Sequence, residues 1–205
     1  MGLSAKQLRA SIDSIAAIEP AFASALIRIG YPEPRISTPG YVTLLRAIVG
    51  QQVSIKAAAA IWARVDSVTG GAADPAKVAA ASEEALRSAG LSRMKALYAH
   101  SLAEEVLSGR LDLHALPKDD EEAIAALTHV KGIGRWSAEV YLLFAEGRVD
   151  IWPAGDLAVQ IEVGRILGLE AKPNEKQTRA LAEPWRPHRG AAAVFAWHHR
   201  RAEPL

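Results

Sequence analysis

Two segments of this chain combine residue types and spacings that could act on a nucleic-acid substrate. The first is Leu127-Thr128-His129-Val130-Lys131-Gly132-Ile133-Gly134-Arg135-Trp136-Ser137-Ala138. Glycine lets a backbone turn tightly and leaves nothing to block the approach of a phosphate. The N–H groups of Gly134, Arg135 and Trp136 would then open the next helix, where unpaired donors and aligned peptide dipoles favour an anion. Arg135 adds a formal positive charge, Lys131 flanks the turn, and Ser137 offers a hydroxyl. Such a hairpin grips a phosphate backbone without reading bases. Gly-x-Gly alone is better read as an ordinary corner between two helices. An apolar residue five positions before the first glycine, Leu127, and a small one four after the second, Ala138, favour the phosphate reading.

The second segment is Trp152-Pro153-Ala154-Gly155-Asp156, followed by the apolar run Leu157-Ala158-Val159. An aspartate in that setting is an ordinary helix N-cap. A capping carboxylate is also held rigidly, and the helix N-terminus stabilises its negative charge. The structural and chemical roles are therefore compatible. Together the two segments point to a protein that holds DNA and performs chemistry on a nucleotide.

These groups must be positioned by helices. Apolar residues recur at three- and four-residue spacing and alanine is abundant, so the predicted class is all-α. Ser4 to Ile18 carries Leu8, Ile12 and Ile15 on one face, with Pro20 close behind. The Pro/Gly-rich stretch from Tyr31 to Gly40 reads as a connector and lobe boundary. Tyr41 to Val65 reads as one or two helices interrupted at Gly50-Gln51-Gln52. Ser82 to Ala89 is a short helix stopped at Gly90, and Ser92 caps another reaching about Ser108. Asp119 to Thr128 enters the glycine hairpin and Trp136 to Ala145 leaves it. Asp156 opens a helix through Leu167, and a last helix runs from about Arg189 to Arg200.

The bulk properties permit this reading. The 205 residues balance 24 Lys and Arg against 23 Asp and Glu, for a net charge of +1, so any face for DNA must be a local patch. Cysteine is absent, which excludes disulfides, zinc fingers and cysteine-ligated clusters. No signal-peptide pattern opens the chain and no apolar run approaches the ~18 residues of a membrane span. The expected location is the cytoplasm, associated with the nucleoid, and the expected state a monomer with no membrane partner.

Leu127-x4-Gly132-Ile133-Gly134-x3-Ala138 resembles the helix–hairpin–helix of the DNA glycosylase superfamily, and Pro153-Ala154-Gly155-Asp156-Leu157 resembles that superfamily's downstream aspartate motif. Ile48-Val49-Gly50-Gln51-Gln52-Val53-Ser54 and Pro184-Trp185-Arg186-Pro187 agree further, so the similarity runs from about Tyr41 to Trp197. The most similar branch is the alkylation-repair one, of the 3-methyladenine DNA glycosylase II type. The chain is too short for the N-terminal β-rich domain of larger members.

The resemblance implies two packed helical lobes with an active-site cleft between them. One lobe spans 41–149 and carries the helix–hairpin–helix at about 121–145; the other combines 1–40 with 150–205. It also implies double-stranded DNA containing damaged bases as partner, with alkylated purines flipped out and excised. Other damaged or mismatched bases, or a non-catalytic DNA-binding module, are the alternatives. Asp156 would stabilise the positive charge that builds on the sugar as the N-glycosidic bond breaks, and orient or deprotonate the attacking water.

Lyase-type relatives place a nucleophilic lysine two residues after the second glycine, where this chain has Trp136; a monofunctional hydrolase is therefore expected. Gln52, with Gln51 as alternative, would fill the gap left by the flipped base, although the same residues fit a polar helix junction. Trp136 and Trp197 stand at positions resembling the base pocket. Trp152 and Tyr141 are further candidates; Tyr141 is turned by about 100° from Val140, where relatives often offer a second aromatic. Trp62 and Trp185 default to the core. No cofactor is expected beyond a structural monovalent cation, Na+ or K+, which the resemblance would place on the carbonyls of Thr128, Val130 and Ile133.

Three smaller motifs have bland readings. Ser92-Arg93-Met94-Lys95 fits SxxK but lacks the companions of a serine acyl-enzyme; it reads as a helix cap whose Arg93 or Lys95 could touch DNA. His198 and His199 are adjacent, hence on different helix faces, and make a poor metal pair. His188, beside Arg186 and Arg189, fits either a phosphate contact or a solvated basic turn.

Overall fold

The computed structural model describes residues 2–204, and among these no strand occurs. The fold is all-α. Two compact units share the chain: residues 2–37 with 142–204, and Thr38–Tyr141. No helix among the described residues is long and apolar enough to cross a membrane.

The Thr38–Tyr141 unit holds α3 (Tyr41–Gly50), α4 (Ile55–Thr69), α5 (Pro75–Ala80), α6 (Glu83–Ser88), α7 (Arg93–Leu107), α8 (Asp120–Thr128) and α9 (Arg135–Tyr141). The break foreseen at Gly50-Gln51-Gln52 is real, so Tyr41 to Val65 forms two helices. Side chains of Ser54, Ser82, Ser92 and Asp119 cap the N-termini of α4, α6, α7 and α8. Such caps each contribute about 1 kcal/mol. Leu44, Leu45 and Ile48 of α3, Leu102 of α7 and Leu127 of α8 are fully buried. At roughly 2 kcal/mol per buried side chain they anchor α3, α7 and α8, the last of which leads into the hairpin. The α7 helix packs against α3, α5 and α6.

The other unit holds α1 (Ala5–Ile18), α2 (Pro20–Ile29), a π-helical turn (Leu142–Glu146), α10 (Leu157–Ile166), α11 (Glu175–Leu181), a 3-10 turn (Glu183–Trp185) and α12 (Arg189–Ala202). Pro20 does not merely end α1. It occupies the first position of α2, where its missing N–H costs nothing, and Glu19 caps that helix. Gly190 admits α12 to its seat, because a Cβ there would lie 2.7 Å from the Val149 carbonyl oxygen and 2.8 Å from Leu143 Cδ1. The five consecutive residues Ala191 to Phe195 are then all buried. Phe22 meets Trp185 edge-on at 4.8 Å and Phe195 at a tilt at 5.4 Å, and Trp185 meets Trp152 edge-on at 5.7 Å.

The helix predicted from Trp136 to Ala145 departs from expectation. Its first part is α9, and Leu142–Glu146 widens into a π turn, a form often found near functional sites.

Candidate active site and nucleic-acid interface

In the unit of residues 2–37 and 142–204, the central group is Asp156, the N-cap of α10. Its Oδ1 accepts the Val159 N–H at 2.8 Å and the Trp197 indole N–H at 3.3 Å. A carboxylate held by two donors at a helix N-terminus is fixed in direction, and its negative charge is stabilised. The loop before it is equally constrained. Ala154 N–H returns to the Trp152 carbonyl and Asp156 N–H to that of Pro153. The buried Gln160, one turn into α10, donates to the Ala154 carbonyl at 2.8 Å and accepts from Lys172 at 2.8 Å.

Trp197 is itself braced. Its ring packs on Phe144 at 5.5 Å with a 35° tilt, and the Arg35 guanidinium lies 4.8 Å above Phe144. Sequence alone did not point to Phe144 and Arg35, because the contact of Phe144, on the π turn, with Trp197 joins segments far apart in the chain. It also missed what ties α12 to α10. Buried Glu162 accepts from His199 at 2.7 Å, from Arg165 at 2.9 Å and from Arg200 at 3.2 Å. Trp197 and Asp156 sit on those same two elements.

Other candidates in this unit are placed differently. Trp152 is buried and donates to the Thr178 carbonyl at 3.1 Å, so its ring belongs to the core and not to a surface open to a base. The basic turn is paired internally: Arg189 and Arg186 both bind Asp150 and Glu183. His188 meets the Ser11 hydroxyl. His198 meets the Ile29 carbonyl, apart from the His199–Glu162 pair.

In the Thr38–Tyr141 unit the hairpin is built from two overlapping turns, Val130 N–H to Leu127 O at 3.2 Å and Ile133 N–H to Val130 O at 3.1 Å. Buried Val130 and Ile133 pin it from beneath. Neither turn uses the carbonyl of Thr128 or Ile133. The two glycines have different reasons. Gly132 has φ 86°, and a Cβ there would sit 2.2 Å from the Tyr98 ring of α7. Gly134 has nothing within 4 Å of where a Cβ would be, so packing within the protein does not demand it. The space beside it is open. Ser101 of α7 accepts the Lys131 N–H at 3.1 Å, which leaves the Lys131 side chain on the exposed surface. Gly134, Arg135, Trp136 and Ser137 lead into α9, and Trp136 is 50% exposed.

Two residues of this group carry corrections. Arg135 does not face outward as a lone cation: it forms a bidentate pair with Glu121 at 2.5 and 2.8 Å and binds buried Glu139 at 2.9 Å. Those carboxylates raise its already high pKa. Tyr141 is buried, and its hydroxyl accepts the Gly40 N–H at 2.8 Å, which makes it a core residue. Trp62, assigned to the core, is only partly buried and lies under the Arg46 guanidinium at 4.2 Å, while Trp185 is fully buried.

The Arg135 clamp gives a direct expectation. The Glu121 pair is solvent-exposed, so Glu121→Gln should leave stability within about 1 kcal/mol of wild type. It should tighten duplex DNA binding and steepen the log–log salt dependence by about 0.9, the contribution of one added phosphate contact. Filter binding over a salt series reads this; an unchanged slope means that Glu139 alone holds Arg135 away.

Ahead of the hairpin, α3 ends in a tight turn. Gln51 has φ −55° and ψ 130°, Gln52 has φ 54°, and Val53 N–H reaches the Gly50 carbonyl at 3.4 Å. Gln51 turns inward, donating to the Gly132 carbonyl at 2.9 Å, whereas Gln52 is exposed. Of the two candidates, Gln52 is the one that projects.

The fold and both clusters define a helix–hairpin–helix protein with a capped aspartate downstream. The chain belongs to the HhH-GPD superfamily of base excision DNA repair proteins, whose model matches residues 45–187. It is 34% identical over 161 residues to DNA-3-methyladenine glycosylase 1 of Schizosaccharomyces pombe, covering 77% of this chain and 71% of the relative. Among solved structures it is similar to the DNA-3-methyladenine glycosidase of Bacillus halodurans, with TM-score 0.84, 32% identity and coverage of 95% of this chain and 89% of that one. It is similar also to the Schizosaccharomyces pombe 3-methyladenine DNA glycosylase in complex with abasic DNA, with TM-score 0.81, 29% identity and coverage of 95% and 98%.

Proposed function

We propose that this chain is a monofunctional DNA glycosylase that extrudes N-alkylated purines from double-stranded DNA and hydrolyses their N-glycosidic bond, leaving an abasic site. The observation that carries this is the Asp156 carboxylate, fixed at the start of α10 by the Val159 N–H and the Trp197 indole. As the glycosidic bond lengthens, its electron pair leaves with the base and positive charge grows on the sugar. A preorganised anion beside that sugar stabilises the transition state without having to reorganise. A purine alkylated at N3 or N7 is already cationic and departs as the neutral base. Water adds to the anomeric carbon and Asp156 guides its proton away.

The remaining residues divide the binding work. The hairpin amides from Gly134 to Ser137, with Lys131, hold the strand's phosphates. Gln52 enters the vacated stack. The indole of Trp197, next to Asp156, offers an electron-rich face to a cationic base, and the exposed indole of Trp136 in the other unit is a separate aromatic surface of the same chemistry. A monovalent cation, Na+ or K+, suits the carbonyls of Thr128, Val130 and Ile133, two of which the hairpin turns leave unused; it would add positive charge beside the phosphate. The protein acts on duplex DNA as a monomer.

The testing experiment treats methylated duplex DNA with the protein and analyses both products. Free methylated purine should appear while the strand stays intact until alkali cleaves it. Borohydride should trap no protein–DNA adduct, because Trp136 occupies the place where a lysine would form a Schiff base. Absence of free base, or a trapped adduct, contradicts the reading.

A further inference from the structure

We propose that Lys95 is a positioning residue that sets the direction of Gln52, by fixing the peptide bond on which the turn after α3 depends. This deepens the reading of Gln52 as the residue that fills the gap and rests on it. The Gly50–Val53 turn has the dihedral signature of type II, in which the third residue needs positive φ and glycine or asparagine is preferred. Gln52 holds that place at φ 54°, a conformation that L-residues other than asparagine rarely adopt. Something must therefore hold it there.

Types I and II differ chiefly by a flip of the central peptide, whose carbonyl here belongs to Gln51. Lys95 grips that very oxygen: its Nζ donates to the Gln51 carbonyl at 2.5 Å and to the Val49 carbonyl at 2.9 Å. Both oxygens lie at the C-terminal end of α3, where carbonyls lack helical partners and a cation is favoured. Flipping the Gln51 peptide would break a charge-assisted hydrogen bond from a half-buried ammonium. Type II is thereby selected, and Gln52 is sent outward.

The same face of α7 continues with Tyr98 under Gly132 and Ser101 on the Lys131 amide. One helix thus supports both the projecting glutamine and the hairpin. Lys95 is the last residue of the SxxK stretch, and its bonds to two carbonyls account for it better than a direct DNA contact does.

The test is a double-mutant cycle on methylated duplex DNA, with kcat/KM for base release measured for wild type, Gln52→Ala, Lys95→Met and the double variant. Each single change should lower kcat/KM by about tenfold, for Lys95→Met the size of one lost charge-assisted hydrogen bond. If Lys95 acts through Gln52, the double variant falls no further than about twofold below the weaker single one, instead of the ~100-fold expected of independent sites. Independent losses, or a Gln52→Ala variant as active as wild type, overturn the proposal. Should Lys95→Met fail to fold, Lys95→Gln, which loses the charge but keeps a neutral amide donor group, is read in the same cycle. The wild-type arm keeps the two claims apart: if it releases no methylated base, the glycosylase reading itself has failed, and the Lys95 proposal falls with it.

Discussion

Asp156→Asn should slow the release of alkylated purine by about 10³-fold, in line with the loss of a preorganised electrostatic contact to a transition state. Asparagine keeps the size of the side chain, and its amide oxygen can still cap Val159 and accept from Trp197, so the local fold should survive. What disappears is the formal charge facing the sugar. Trp197→Phe should lie between wild type and Asp156→Asn, with a loss of about tenfold. It removes the indole donor but keeps an aromatic ring against Phe144. Single-turnover rates on methylated duplex oligonucleotides read both. A rate for Asp156→Asn within a few-fold of wild type would mean that this carboxylate is only a helix cap.

The second large effect separates the two hairpin glycines. Gly132→Ala forces an L-residue to φ 86° and drives a methyl group into the Tyr98 ring, 2.2 Å away. The dihedral penalty of about 1–2 kcal/mol and the overpacking cost of about 1–3 kcal/mol add to roughly 2–5 kcal/mol. In a chain of this size that lowers the melting temperature by about 5–15 °C. Gly134→Ala meets no atom and requires no unusual φ, so its melting temperature should stay within about 2 °C of wild type. Its DNA affinity should still fall by about tenfold if, as proposed, the hairpin receives a phosphate, because the added methyl fills the open space beside Gly134. Thermal melts and DNA titrations of the pair distinguish a glycine kept for folding from one kept for the ligand. Equal melts for both variants would contradict this division.

Particular residues show how much of this was legible beforehand. Asp156 announced itself because a cap is a local event: an acceptor side chain, then three apolar residues that start a helix. The hairpin was legible for the same reason, since positive φ and helix starts are written in consecutive residues. Short helices beginning at proline, α2 and α5, were not foreseen: Pro20 read only as a stop behind the first helix, whereas Pro20 and Pro75 each take a helix's first position.

Contacts between distant segments were invisible. Nothing near Arg135 in sequence predicts that Glu121 shares it, although Glu139 lies a single helical turn away. Tyr98 under Gly132, Phe144 under Trp197 and Lys95 on the α3 carbonyls are products of packing between elements. Tyr141 and Trp152 show the reverse error. An aromatic near a motif suggests a pocket, but burial and a committed polar atom assign both to the core.

The most direct measurement takes one preparation each of wild type and Asp156→Asn and determines two quantities: the single-turnover rate of base release and the dissociation constant for abasic-site duplex. If Asp156 acts on the transition state, the rate falls by about 10³-fold while the dissociation constant moves by less than about threefold. If both change by the same factor, or neither changes, Asp156 serves binding or folding alone, and the assignment of catalysis to this residue is wrong.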